Sequence, residues 1–237
     1  MEGTSLGWGE FGRFERLLKE EGARDVVLIG GVKVRPDFKH LKLDFATMKM
    51  LPEIVRILAG GDNELLSGVV RIIEKRGYRV IGAHEVATDL VAADGPLGRH
   101  KAAAADRRAV ERAMEAARAI GAVDAGQAAV SFDGRVVALE AAEGTDEMLK
   151  RVATLRDAGR IKWKGRTGVL AKCAKPQQDL RVDMPAIGPQ TVDGAVAAGL
   201  SGIAVESGRV MIVEREEVIR RADAAGIFVI GESGAPR

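Results

Sequence analysis

Apolar positions along the chain switch between a helical and a strand period, and the switching lays out an α/β protein. Phe11, Phe14, Leu17 and Leu18 share one helical face across residues 11–21, and that pattern stops at Gly22. Residues 25–29 form an apolar run that closes on Gly30-Gly31, as a strand buried on both faces does. Two helices follow. The first covers residues 44–59, with Pro52 either opening a new helix or kinking the old one. The second starts from Asp62 as N-cap and carries Leu65, Leu66, Val69, Ile72 and Ile73 on one side before Gly77. Residues 78–83 then read as a second buried strand.

Further on, an alanine-rich helix is predicted over residues 104–120. Runs at 127–132 and 135–140 flank Asp133-Gly134, a strong hairpin-turn dipeptide. A helix over 145–158 and a strand over 167–171 follow. Runs at 203–205 and 209–213 flank Glu206-Ser207-Gly208, before a helix over 215–225 and a strand over 227–230. The two hairpin-then-helix units suggest an internal duplication. Asp94-Gly95-Pro96-Leu97-Gly98 is the best boundary signal, dividing the chain into domains 1–94 and 95–237, the second larger and more complete.

Composition narrows the function. With 46% hydrophobic residues in 237 and a formal charge of only +2, the chain is neither disordered nor basic enough to be expected to bind nucleic acid. Nine aromatic residues (six Phe, two Trp, one Tyr) provide no stacking platform for single strands. One cysteine, Cys173, excludes an intramolecular disulfide and fits a reducing compartment. No apolar run has membrane-spanning length and the N-terminus lacks a signal-peptide pattern, so a soluble cytoplasmic protein is expected.

Several motifs admit two readings. Gly7-Trp8-Gly9-Glu10-Phe11-Gly12 spells a dinucleotide fingerprint, but no strand precedes it, which leaves a plain helix N-terminus as the alternative. Gly30-Gly31 ends a strand where open sheets bind ligands, or it only turns the chain. His84-Glu85 is a structural pair or a catalytic one. In Glu143-Gly144-Thr145-Asp146-Glu147, Thr145 either caps a helix, or the free helix N–H groups take a phosphate while carboxylates hold Mg²⁺. The densest polar cluster is residues 172–188, where Lys172, Lys175, Arg181, Asp179 and Asp183 lie on a loop pinned by Pro176, Pro185 and Gly188. Cations and carboxylates on one rigid loop suit hydrolysis or transfer at a phosphoryl group.

At this cluster the chain resembles a known family. Lys175-Pro176-x-Gln178-Asp179-x-Arg181-x-Asp183-x-Pro185-x-Ile187-Gly188-x-x-Thr191 is similar to the signature of the LpxI-type UDP-2,3-diacylglucosamine pyrophosphatases. Gly9-Glu10-Phe11-Gly12, Arg35-Pro36-Asp37, Gly82-Ala83-His84-Glu85, Asp124-x-Gly126-Gln127 and Glu140-x-x-Glu143-Gly144-Thr145-Asp146 extend it over nearly the whole chain, in the family's order. The resemblance implies cleavage of UDP-2,3-diacylglucosamine to UMP and lipid X in lipid A synthesis, dependent on Mg²⁺ or another divalent cation such as Mn²⁺. It implies two domains, an incomplete Rossmann-like N-terminal one and a mixed α/β C-terminal one, with the substrate bound between them. It ties the Arg-x-Asp-x-Pro aspartate, here Asp183, to catalysis.

Residue type and position add the remaining candidates. Lys172, Lys175 and Arg181 are placed as charge stabilisers, and Glu143 and Asp146 join Asp183 as metal ligands. Gly30, Gly31, His84, Gln127, Thr145 and Gln178 are placed against the substrate. The implied partners are the UDP-diacyl-sugar and, transiently, the inner membrane surface; the sequence does not set the oligomeric state. One departure stands out: the family's opening strand and glycine-rich turn are expected upstream of Gly9-Glu10-Phe11-Gly12, and here they are missing. Residues 25–29 are therefore expected to be a strand short of a neighbour, and a truncated homologue that binds without turnover is the rival reading. Phe45, Met48, Met50, Leu51, Ile54, Val55, Ile57 and Leu58 make the 44–59 helix apolar nearly all round, either as a buried helix or as a surface adapted to acyl chains.

Overall fold

The computed structural model describes residues 3–30, 43–58, 62–163 and 165–234. They fall into two compact units, residues 1–86 with 181–183, and residues 87–180 with 184–237.

The first unit holds α1 (Phe11–Glu20), β1 (Asp25–Val27), α2 (Phe45–Leu58), α3 (Asp62–Lys75), β2 (Arg79–Ile81) and the single turn α4 (Ala83–Val86). β1 and β2 pair in parallel, Val26 opposite Val80. Arg79 grips Asp25 through two bonds of 2.8 and 2.9 Å at the start of the pair. Among the described residues β1 pairs with β2 alone. Val26, Val70, Ile73 and Val80 form the core, with Phe11, Phe14, Leu18 and Val182 packed around it. Pro52 lies inside α2, which runs on as one helix instead of restarting.

The glycine-rich start resolves as a helix N-terminus already occupied by the protein's own carboxylate. Asp44 Oδ2 accepts from the N–H groups of Gly12 (2.7 Å) and Arg13 (3.2 Å), and Oδ1 accepts from the N–H of Thr47 (2.8 Å). One aspartate therefore satisfies orphan donors at the starts of both α1 and α2. A Cβ on Gly12 would sit 2.8 Å from that carboxylate, which is why the position carries none.

The second unit is built on a six-stranded mixed sheet. Its strands are β3 (Gly95–Pro96), β4 (Ala128–Phe132), β5 (Arg135–Leu139), β6 (Val169–Lys172), β8 (Gly202–Glu206) and β10 (Phe228–Glu232), in the order β3-β10-β8-β6-β4-β5. Gly95–Pro96, within the boundary signal of the sequence, is an edge strand of this sheet, antiparallel to β10. α5 (Arg107–Ala122) covers one face. α6 (Gly144–Asp157), α7 (Pro189–Ala197) and α8 (Arg215–Ala225) cover the other.

Side-chain alternation explains the layering. Ala129, Ala171 and Ala204 face Ala109, Ala113 and Ala117 of α5, so helix and sheet meet through small residues. Val130, Leu170, Ile203 and Val229 point to the opposite face, against Met148, Leu149, Val192 and Val218. The predicted hairpin at Asp133-Gly134 forms, with both residues at positive φ (44° and 76°) as a type I′ turn requires.

The second predicted hairpin does not form. β6 and β10 take both edges of β8 in parallel, so the chain after Glu206-Ser207-Gly208 has no free edge to return to. β9 (Met211–Ile212) pairs instead with β7 (Ala186–Ile187), and the suggested duplication is lost with the hairpin. α7 was not foreseen, although Gly188-Pro189 with Thr191 is a helix-start signal.

Asp44→Ala should lower the stability of the first unit by about 1–2 kcal/mol, the usual value of a lost cap, measured by urea unfolding. Burial raises the Asp44 pKa, but hydrogen bonds from Thr47, Gly12 and Arg13 outweigh it and hold the carboxyl below its ordinary value. The capping contribution is therefore complete at neutral pH and fades as pH falls through that depressed pKa, so parent and variant should converge in acid.

Candidate active site

The parallel strands β6, β8 and β10 end together, and the carboxyl ends of such strands are where α/β sheets place ligands. Lys172 is the last residue of β6, opposite Ala128 of β4 and Val205 of β8. Alternation after Leu170 turns its side chain to the α6 face, where it is only 8% exposed. Its Nζ donates to Thr145 Oγ1 at 3.0 Å, and Thr145 Oγ1 donates to Glu140 Oε1 at 2.9 Å. Glu140 Oε2 accepts the Gln127 N–H at 3.1 Å. An ammonium, a hydroxyl and a carboxylate thus stand in line at the first turn of α6.

Burial pushes the Lys172 pKa down, against the pull of Glu140 and Asp146. Among the described residues, two of its three protons have no acceptor. Gln127 Oε1 is likewise buried without a hydrogen-bond partner there. The unspent protons of this buried ammonium are donors that the oxygens of an anionic ligand would accept, whereas Gln127 Oε1, an acceptor, would need a donor.

Thr145 does not act as the helix cap, since its hydroxyl is spent on Lys172 and Glu140. Glu143 is the N-cap residue and makes no capping bond. Its carboxylate accepts from Arg151 Nη2 (2.8 Å) and the Ala141 N–H (3.2 Å).

The other expected residues divide between the units. Lys175 is ion-paired with Asp124 at 2.7 Å, and its N–H donates to Gln178 Oε1 at 3.1 Å, so Gln178 braces the loop. Arg181, with Val182 and Asp183, belongs to the first unit. Its guanidinium bonds Glu74 at 2.7 Å and the Val80 carbonyl at 3.4 Å. His84 lies beside this segment because Gly82 has no side chain. A Cβ there would meet the imidazole at 2.3 Å and the Arg181 Cα at 3.2 Å. Glu85 does not pair with His84; it accepts the Gly82 N–H at 2.7 Å. Gly30 is exposed at φ 124°, in keeping with a turn; Gly31 and Arg35-Pro36-Asp37 lie outside the described residues.

Two contributors were not singled out from the sequence. Glu140 stands in the Glu140-x-x-Glu143 motif, and only the fold brings it to Thr145 and the Gln127 N–H. Glu206, at the end of β8 on the α5 face, accepts the Ala174 N–H at 3.0 Å and lies near Arg118 (3.5 Å) and Arg209 (3.3 Å). Among the described residues no three His, Cys, Asp or Glu side chains gather as a metal cage.

The family model of the LpxI N-terminal domain matches residues 2–90, and that of the LpxI C-terminal domain matches residues 93–230. The chain is 44% identical over 229 residues to the UDP-2,3-diacylglucosamine pyrophosphatase LpxI of Caulobacter vibrioides, covering 97% of this chain and 81% of the relative. The chain belongs to the LpxI family. The Lys172 cluster therefore lies in the LpxI C-terminal domain, while Arg181–Asp183, though within the same matched span, packs with the unit formed by the LpxI N-terminal domain.

Cys173 follows Lys172 but faces the other side of the sheet, against Met114. Burial pushes its thiol up to about 12. The native protein should not react with a thiol reagent at pH 8, and the unfolded protein should react completely, as read by absorbance with a chromogenic disulfide.

Proposed function

We propose that this protein hydrolyses the pyrophosphate bond of UDP-2,3-diacylglucosamine, releasing UMP and 2,3-diacylglucosamine 1-phosphate in lipid A synthesis. The observation that carries the reading is the 44% identity, across both domains, to a relative that bears that activity in its name. The geometry supports it with a buried cation at the carboxyl end of β6. Hydrolysis of a pyrophosphate diester needs negative charge offset, a water activated and a leaving phosphate stabilised.

Lys172 supplies the first requirement. A phosphate oxygen arriving at its Nζ accepts one of the unspent protons, and the Thr145–Glu140 pair fixes where the ammonium points. The uncapped first turn of α6 adds backbone N–H groups that favour an anion. Asp183 is assigned the proton of the attacking water, and Arg181 and His84 belong to the same unit. Lys175 and Gln178 act on the loop, through Asp124 and through each other, and serve as positioning residues.

The reaction is proposed to use Mg²⁺, or Mn²⁺ in its place. The donor set suits an ion carried by the substrate phosphates with one or two carboxylates, because Mg²⁺ keeps waters and seldom takes an all-protein cage. Asp146, whose charge acts on Lys172, is the carboxylate that the second unit offers, whereas Glu143 is held by Arg151. The ion would supply charge neutralisation on the pyrophosphate.

UMP release from UDP-2,3-diacylglucosamine with Mg²⁺ tests the reading. Asp183→Ala should lower kcat by about 100- to 10,000-fold, the span of a lost general base. Lys172→Met should lower kcat/KM by about 100-fold or more. A folded parent without turnover, with and without added Mg²⁺, would overturn the assignment.

A further inference from the structure

We propose that the outward face of α2 is a docking surface for an anionic lipid bilayer. α2 buries Thr47, Met50 and Ile57 inward, yet its other face is not polar. Phe45 is 68% exposed, Met48 51% and Val55 57%, and they recur with exposed Pro52 at a spacing of three or four residues. This is one continuous stripe along the helix. Single exposed apolar side chains need no explanation, but an unbroken row of them marks a surface that meets something apolar.

The charges identify the partner. Lys49 and Arg56 lie on the same exposed side, and Lys49 Nζ rests 4.6 Å from the centre of the Phe45 ring. The acid of this helix, Glu53, is turned to an ion pair with Lys75 of α3. Among the described exposed residues of α2 the stripe therefore offers apolar side chains beside two cations, the pattern of a helix that lies in the plane of an anionic membrane surface.

Trp8 is a further exposed aromatic residue near this helix. It is 61% exposed and precedes Gly9, whose carbonyl accepts from the Asp44 N–H (2.9 Å) and the Thr47 hydroxyl (2.8 Å). That places Trp8 at the Phe45 end of α2, and indoles favour the headgroup level of a bilayer. The choice of a bilayer over another apolar partner rests on the diacyl-lipid substrate proposed above. A protein held at the membrane would take such a substrate without its acyl chains crossing water.

Flotation of the full chain with vesicles, without substrate or nucleotide, tests this directly. The parent should bind phosphatidylcholine vesicles containing about one-third phosphatidylglycerol and bind pure phosphatidylcholine weakly. Phe45→Ser/Met48→Gln/Val55→Ser should reduce that binding at least about tenfold, and Lys49→Glu/Arg56→Glu should abolish the preference for anionic vesicles. Because these positions are exposed, both variants should unfold at the parent's Tm and keep its kcat on detergent-dispersed substrate.

A parent that ignores anionic vesicles would overturn the proposal, as would unchanged vesicle binding by the triple variant. Conversion of a dimer to a monomer by that variant would assign the face to a second copy instead. A raised KM for dispersed substrate, with vesicle binding intact, would assign it to the substrate's own acyl chains. Vesicle binding by a parent that hydrolyses nothing would uphold docking and remove the pyrophosphatase reading alone.

Discussion

A lysine ammonium at the end of a central strand is the constraint around which the second unit is arranged. β6 is flanked by β4 and β8, so Lys172 leaves the sheet with strands on both sides and α6 above it. A buried ammonium is costly unless hydrogen-bonded and balanced. Thr145 and Glu140 meet part of that requirement, and they can do so only if β5 runs straight into α6. The Asp133-Gly134 hairpin delivers β5 in that register. The first turn of α6, the Gln127 backbone and the Lys172 side chain are therefore one construction rather than three separate features.

The two charged strand ends share the sheet without meeting. Lys172 turns to the α6 face, and Glu206, one strand over, turns to α5 and its Arg118. Period-two alternation separates them, so the carboxyl edge presents a cation on one face and a compensated acid on the other. The small-residue packing of α5 on Ala129, Ala171 and Ala204 keeps that second face tight, and it seals Cys173 beneath the helix. In the first unit the same economy operates at Asp44, where one carboxylate closes two helix starts and leaves the glycine triplet no phosphate to hold.

Much of this was legible in the sequence. The helix over 215–225 coincides with α8, and the Asp-Gly turn announced its hairpin, because local dihedral demands decide such elements. The second hairpin failed because pairing is not local: two parallel partners had already claimed β8. α7 begins where the charged loop ends, and Gly188-Pro189 with Thr191 is its short local start signal. At the site, Lys172 and Thr145 were found from residue type and from the strand-to-helix junction. Their link through Glu140 was not, since only the fold brings a strand end, a helix start and a hairpin end to hydrogen-bonding distance. The placement of Arg181–Asp183 with the first unit was equally invisible, because nothing in the spacing of a loop says which body it packs on.

The central claim is that Lys172 is a buried cation whose unspent hydrogen bonds an anion would complete. NMR titration of the Lys172 side chain, assigned by comparison with Lys172→Met, measures it in the free protein and with saturating UMP. The account predicts a pKa below that of an ordinary lysine in the free protein, rising when the nucleotide phosphate binds. An ordinary pKa in the free state, or one that UMP leaves unmoved, would contradict it.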